Sequence, residues 1–390
     1  LSATEAANSR WLVAFVLIGQ CGLSIVFGLL APLLGPIAHS FGGVAIAQRI
    51  IVGPQLGLAV GGVLAGSVLK ALGARPTVVI SCILFCLAAA SGLYIQNASV
   101  MLADTYVLGG ATVIWATACN LVVAESYSGA GRGRIVGYQT ALGSLSQFGG
   151  VFLSGLIAQW VGWRYSFLLL VAAGLATLVV GGLGVPPGRP PREPGRAPDL
   201  RAFLPVLPNY LTIAATLLVA TTTFTHMSLL LNAQGVASPA IAAALIASQS
   251  GAAMVAAALY GAMVAWIGRT WTVVFGIGCG AAGMILTGLA PSLPAFAAGT
   301  IGLGITIGIS FPFLIADTMR RASVAIRPQA MGFLATAQFV GGFLNPYLVE
   351  PVSARLGLHG MYVALGLAGL VLGLAAFVTL AREADQMEAA

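Results

Sequence analysis

The sequence predicts an all-α membrane protein: twelve transmembrane helices in two pseudo-symmetric six-helix bundles. Three observations carry this expectation. The 390 residues are 59% apolar and only 7% charged, with a mean hydropathy of +0.99, whereas soluble domains carry roughly 25% charged residues. The apolar runs reach the ~20 residues that a helix needs to cross a bilayer and exceed the ~10 of a barrel strand. Punctuation also recurs at a fixed interval: "GSVLKALGARPTVV" (66–79) and "GAMVAWIGRTWTVV" (261–274) share Gly66/Gly261, Gly73/Gly268 and Thr77-Val78-Val79/Thr272-Val273-Val274, each pair 195 residues apart.

Breaking the chain at charges and at Gly/Pro clusters places the spans in order. The first begins at Trp11, runs to about residue 36, and is longer than a signal-peptide core. The next five cover about 45–70, 76–96, 100–123, 135–159 and 164–185. The second set covers about 208–232, 239–264, 271–290, 293–316, 329–351 and 358–381. Between the sets, "VPPGRPPREPGRAPDLRAFLP" is rich in proline and arginine and reads as an exposed linker. The expected organisation is therefore an N-terminal bundle over 1–185, a cytoplasmic linker over 186–207 and a C-terminal bundle over 208–390.

Charge orients the bundles. With both termini in the cytoplasm, fourteen of the seventeen basic residues fall inside, and only Arg49, Arg164 and Arg355 fall outside. This is the positive-inside asymmetry, so the net charge of +7 reports topology and implies no nucleic-acid partner. The five cysteines (21, 82, 86, 119, 279) all lie in apolar runs and read as small buried hydrophobes, with neither disulfide framework nor metal spacing.

The repeat extends to Thr105, Leu108 and Gly109, matched by Thr300, Leu303 and Gly304, and to Ala124-Glu125 beside Ala316-Asp317 at a nearby spacing. Parallel six-helix repeats with a midplane site between them are a known transporter architecture. On these residues the chain resembles the major facilitator superfamily over essentially its whole length. That family's loop signature, roughly G-x-L-x-D-R-x-G-R-R, maps onto Gly66, Val68, Lys70, Ala71, Gly73, Ala74 and Arg75. Lys70 stands in place of the acid, and Ala265 does so in the second half. The loop Asp–Arg latch is therefore expected to be absent from both halves. Lys70 reads either as a partner of Glu125 or Asp317 or as a plain positive-inside charge. Thr105 occupies the place of the family's span-four arginine and Gly150-Val151 that of the Gly-Pro of its antiporters, while "GWRYSF" (162–167) matches the usual start of span six.

The resemblance implies a cavity surrounded by spans 1, 2, 4, 5, 7, 8, 10 and 11, with 3, 6, 9 and 12 toward lipid. Polar residues should avoid lipid-facing helices, because a buried amide or charge without a partner is costly there. The apolar bodies of spans 3, 6, 9 and 12 contain no Gln, Asn, His or charge. The candidate solute contacts are Gln20, Arg49, Gln55, Asn120, Gln147, His226, Gln249, Gln338, Asn345 and Tyr347, alongside Gln139 on span five. Each amide also has a second reading as a helix–helix hydrogen bond. Gln20, Ser24 and Phe27 share one helical face, and Thr222, Thr223 and His226 another. Asn345-Pro346-Tyr347 breaks span eleven, either to line a cavity with backbone carbonyls or as a packing kink. Arg49 reads as an anion-attracting residue at the outer mouth or as a side chain snorkelling to the interface.

No Asp or Glu lies at the centre of a predicted span, which disfavours a pump for cations and leaves His226 as the internal candidate for a titrating, coupling group. The expected function is secondary active transport, by alternating access, of a small neutral or anionic, partly apolar organic solute. The alternative is an amphipathic-compound or lipid exporter of the same fold. No enzyme motif, metal site or cofactor is expected. The expected partners are the solute, the bilayer and protons as coupling ion, with the chain a monomer in the plasma (cell inner) membrane.

Overall fold

A computed structural model describes residues 3–126, 129–185, 200–236, 238–289, 292–323 and 326–388. They are almost wholly helical: α1 (Ala3–Gly28), α2 (Leu34–Phe41), α3 (Val44–Leu72), α4 (Ala74–Ser91), α5 (Ala98–Ser126), α6 (Gly129–Trp160), α7 (Phe167–Gly184), α8 (Leu207–Ala233), α9 (Pro239–Leu289), α10 (Leu293–Arg321), α11 (Arg327–Phe343), α12 (Asn345–Leu348) and α13 (Glu350–Glu388). Among the described residues, 10 helices are long and apolar enough to cross a membrane. Two of these bend: α9 at Gly268 and α13 at Gly357. With those bends taken as boundaries, every one of the twelve predicted ranges holds helix. Most of the predicted linker lies outside the described residues, and its last part, Leu200–Val206, is a 3-10 helix.

The chain divides into two compact units. Unit 1 comprises Leu1–Pro198 with Ser238–Ala243, and unit 2 comprises Asp199–Ala237 with Ala244–Ala390. Three boundaries differ from the sequence reading. The first span closes α1 at Gly28, passes through a 3-10 turn at Ala31–Leu33, and resumes as α2 to Phe41. Spans eight and nine are joined through the Gly268 bend without an intervening loop. Span eleven is interrupted just before Asn345-Pro346, where proline sits in the first turn of α12 and needs no amide partner.

The 195-residue repeat is physical. Gly73 has φ 86° and ψ 167°, and Gly268 has φ 80° and ψ 165°. This backbone region is nearly exclusive to glycine, which is why the same turn demands it twice. In both halves a threonine four residues on turns its hydroxyl back onto that glycine: Thr77 Oγ1 donates to Gly73 O at 2.6 Å, and Thr272 Oγ1 to Gly268 O at 2.7 Å. Helix crossings repeat as well. A Cβ at Gly109 would strike the Pro54 carbonyl, and one at Gly304 the Gln249 carbonyl, again 195 residues on. Backbones in contact at a small residue are a common way for membrane helices to associate.

Candidate functional site

The sequence-derived candidates fall into both units. In unit 1, Gln55 follows Pro54 on α3 and is buried, with its Oε1 unpartnered. Gln20 and Ser24 of α1 lie over Gly143 of α6, while Gln147 of α6 lies over Gly28 of α1, so these amides flank one helix contact. Asn120 on α5 is exposed, as is Arg49 near the start of α3. Gln139 is buried and donates through Nε2 to Cys119 Sγ at 3.4 Å, a helix–helix bond. The side chain of Phe27 lies outside the described residues.

Unit 2 brings several candidates into one cluster. Asn345, fully buried, donates through Nδ2 to Leu218 O (2.7 Å) and Thr222 Oγ1 (2.9 Å), and its Oδ1 accepts from Thr225 Oγ1 at 2.7 Å. The interruption of span eleven is thus tied to α8 by an amide whose two ends are both occupied. Beside it, His226 is fully buried. Its Nδ1 lies 2.8 Å from Thr225 Oγ1, and its Nε2 lies 3.3 Å from Glu350 Oε2. Gln249 on α9 donates to Ala220 O of α8 at 3.3 Å and leaves its Oε1 buried and unpartnered. Gln338 is half-buried on α11; Tyr347 is partly exposed and its ring lies 5.4 Å from that of Phe343.

Two acids with partners in unit 2, Glu350 and Asp317, are not among the sequence-derived candidates. Glu350 opens α13, separated by a single residue from the end of α12 at Leu348, and its carboxylate lies 3.3 Å from His226 Nε2. Asp317 follows the predicted end of span ten at about 316, but it lies inside α10, with a side chain only 1% exposed.

Asp317 gives the second half a charged cluster that does not use the loop acid, whose place Ala265 takes. Arg269, the residue after the Gly268 bend, pairs with Asp317 Oδ1, and its guanidinium stacks over Phe313 at 4.9 Å. Arg320 Nη2 (2.8 Å) and Arg321 Nε (2.6 Å) add to the same carboxylate, and Asn209 Nδ2 donates to it at 3.0 Å. The loop acid that Ala265 replaces is supplied instead from α10. Lys70 is exposed, and the Glu125 side chain lies outside the described residues. Arg164 closes the end of α4: its Nη1 donates to Ile95 O at 2.6 Å and Gly92 O at 3.3 Å, and its guanidinium lies 4.6 Å from the Trp163 ring. No group of His, Cys, Asp and Glu among the described residues is arranged to hold a metal ion.

The sequence profile of the Major Facilitator Superfamily matches residues 16–346, most of the chain. The chain belongs to the Major Facilitator Superfamily. Solved structures of similar fold include a peptide transporter POT, as a point mutant, at a TM-score of 0.76 and 13% identity over 95% of this chain and 94% of that one. The same mutant in complex with alafosfalin gives 0.75 and 13% over the same shares. The POT transporter in complex with sulfate gives 0.75 and 13% over 98% of this chain and 99% of that one. At such identity the likeness concerns the fold. A search of curated proteins by sequence finds no match. Membership makes this a multi-pass membrane protein of a transporter superfamily.

Proposed function

We propose that this superfamily member is a secondary active transporter of a small neutral or anionic, partly apolar organic solute, working by alternating access between an N-terminal bundle (1–185) and a C-terminal bundle (208–390). The reading takes both termini and the 186–207 linker as cytoplasmic, in the plasma membrane, with the chain working as a monomer. The charge asymmetry of the sequence supports that orientation.

The observation that carries the solute class is the fate of the acids. Asp317 is surrounded by three guanidinium groups, and Glu350 faces His226. Asp104 accepts from Ser91 Oγ at 2.8 Å, on the contact between α4 and α5 near their outer ends. A buried cation without a committed carboxylate would cost several kcal/mol. The buried polar atoms without a hydrogen bond among the described residues include the amide oxygens of Gln55 and Gln249, which call for a hydroxyl or N–H donor, and the second oxygen of Asp104, Oδ2, at the α4–α5 contact. Gln20, Asn120, Gln147 and Gln338 are further amides on spans expected to line the path, and Arg49 would draw anions if it faces the outer mouth.

His226 with Glu350 forms the candidate proton site. Histidine changes charge within the physiological range, and a carboxylate at its Nε2 gives a proton a second place to reside. The test is uptake into proteoliposomes of labelled organic acids, sugars and amphipathic compounds, with and without an imposed pH gradient. Gradient-dependent accumulation of an acid or a sugar supports the reading; accumulation of cationic compounds alone refutes it.

A further inference from the structure

Unit 2 contains a cavity of about 470 Å³ between α8, the second arm of α9, α10 and the second arm of α13. The repeat shows why it is there. In unit 1, Phe85 of α4 and Trp115 of α5 are fully buried, with ring centroids 4.8 Å apart at 77°, and a Cβ at Gly174 of α7 would strike the Phe85 ring. The residues 195 positions on are Gly280, Ser310 and Gly369, and all three line the cavity. Two aromatic rings give way to a hydrogen and a hydroxymethyl group, so unit 2 keeps the helix arrangement without the filling. The lining of such a void forfeits dispersion contacts that an occupant of the right shape would restore.

The walls decide what fits. Val219, Ile277, Met284 and Leu303 are aliphatic, and the threonine hydroxyls of the lining are turned back onto carbonyls. Thr212 Oγ1 donates to Pro208 O and Thr216 Oγ1 to Thr212 O, both at 2.8 Å, and Thr306 Oγ1 donates to Gly276 O at 2.7 Å. At one end, Asn209 commits its Nδ2 to Asp317 and Thr318, and Asp317 is already held by arginines. The wall therefore asks its occupant for shape and apolar contact rather than for charge. Leu211 of α8 and Leu372 of α13, both lining residues, are 65% and 55% exposed, so the slot opens at the surface between these two helices. Leu370, Val371 and Leu374 beside that mouth are exposed as well, and a contiguous apolar patch on the outside of a membrane protein is a surface for lipid. The depth also fits. The α8 lining runs from Pro208 to Ala220, about 18 Å of helix rise, close to the ~15 Å that one leaflet contributes to a bilayer core of ~30 Å.

We propose that this cavity is a resident site for one acyl chain of a membrane phospholipid, drawn from the leaflet on the Asp317 side. The chain enters between α8 and the second arm of α13 and lies where unit 1 carries Phe85 and Trp115. Recognition is of the chain and is indifferent to headgroup charge. The site lies wholly within unit 2, and its occupant is a structural lipid rather than the transported solute. The chain completes the packing of this half, which therefore depends on lipid in a way that the ring-filled half does not.

The test is photolabelling of the full-length protein in dioleoylphosphatidylcholine vesicles doped with a phosphatidylcholine that carries a diazirine in the middle of one acyl chain. Labelled residues are read by peptide mass spectrometry. Label is expected on the wall residues Leu303 and Thr306 of α10, a helix that does not form the mouth, as well as on the exterior residues Val371 and Leu374, which any surrounding lipid reaches. Val219→Trp and Ala215→Phe, which fill the slot from α8, should each lower the wall label at least ~10-fold, a difference of about 1.4 kcal/mol, and leave the exterior label unchanged. Thermal unfolding in detergent identifies a variant that fails to fold, and the labelling pattern of the intact chain carries the test without either variant. A phosphatidylglycerol with the same diazirine chain should label the wall to a similar extent. Exterior label alone in the intact chain, an unchanged wall label in a folded filled variant, or wall label from the anionic lipid only would overturn the proposal.

Discussion

Asn345 offers the most quantitative test of how the broken eleventh span is held. Its side chain makes three hydrogen bonds to α8, at 2.7, 2.9 and 2.7 Å, and has no exposed surface. Hydrogen bonds between membrane helices contribute about 0.6 kcal/mol each on average. Three of them lost together in Asn345→Ala give about 2 kcal/mol. Part of that loss is recoverable, since Thr222 Oγ1 also reaches Leu218 O and Thr225 Oγ1 also reaches Thr221 O within their own helix. For a folding unit of this size, 1 kcal/mol corresponds to roughly 2–4 °C in Tm, so a fall of about 4–8 °C is expected. The assay is intrinsic-fluorescence thermal unfolding of the purified protein, with Asn345→Asp as companion, since it keeps the acceptor for Thr225 and loses both donors. A shift below about 1 °C in Asn345→Ala would refute the reasoning and return this amide to the list of groups available to solute.

Three further outcomes follow from the same geometry. Gly268→Ala should cost about 1–3 kcal/mol from backbone strain alone, because nothing lies within 4 Å of the added Cβ and only the dihedral angles oppose it; thermal unfolding would show it, and Gly73→Ala should behave alike. Asp317→Asn removes the charge that three arginines share, so it should lower Tm, and the loss should shrink as salt screens the remaining like charges; a variant as stable as the parent at low salt would contradict the latch. His226→Gln and Glu350→Gln should each flatten the pH dependence of uptake in proteoliposomes while leaving the unfolding transition in place, and an unchanged profile in both would assign the pair a structural role only.

What the sequence made legible, and what it did not, divides along physical lines. Span positions were readable because hydropathy and charge act locally, and the Gly73/Gly268 turn because one backbone conformation nearly excludes every other residue. The Thr105/Thr300 match was readable too: both hydroxyls return to a carbonyl three residues back, on Leu102 and on Ala297. The Arg269–Asp317 latch was not, since the acid comes from a different helix than the family signature leads one to search. Glu350 was missed because its approach to His226 depends on the direction of the chain after Asn345-Pro346, which no local pattern encodes.

The central claim is that the polar interior serves a neutral or anionic solute. Competition tests it most directly: once a transported solute is found, its uptake into proteoliposomes is measured against excess neutral, anionic and lipophilic cationic analogues of similar size. The account predicts displacement by the neutral and anionic compounds and none by a quaternary ammonium analogue. Saturable inhibition by the quaternary ammonium compound, with the neutral and anionic analogues inert, would contradict it.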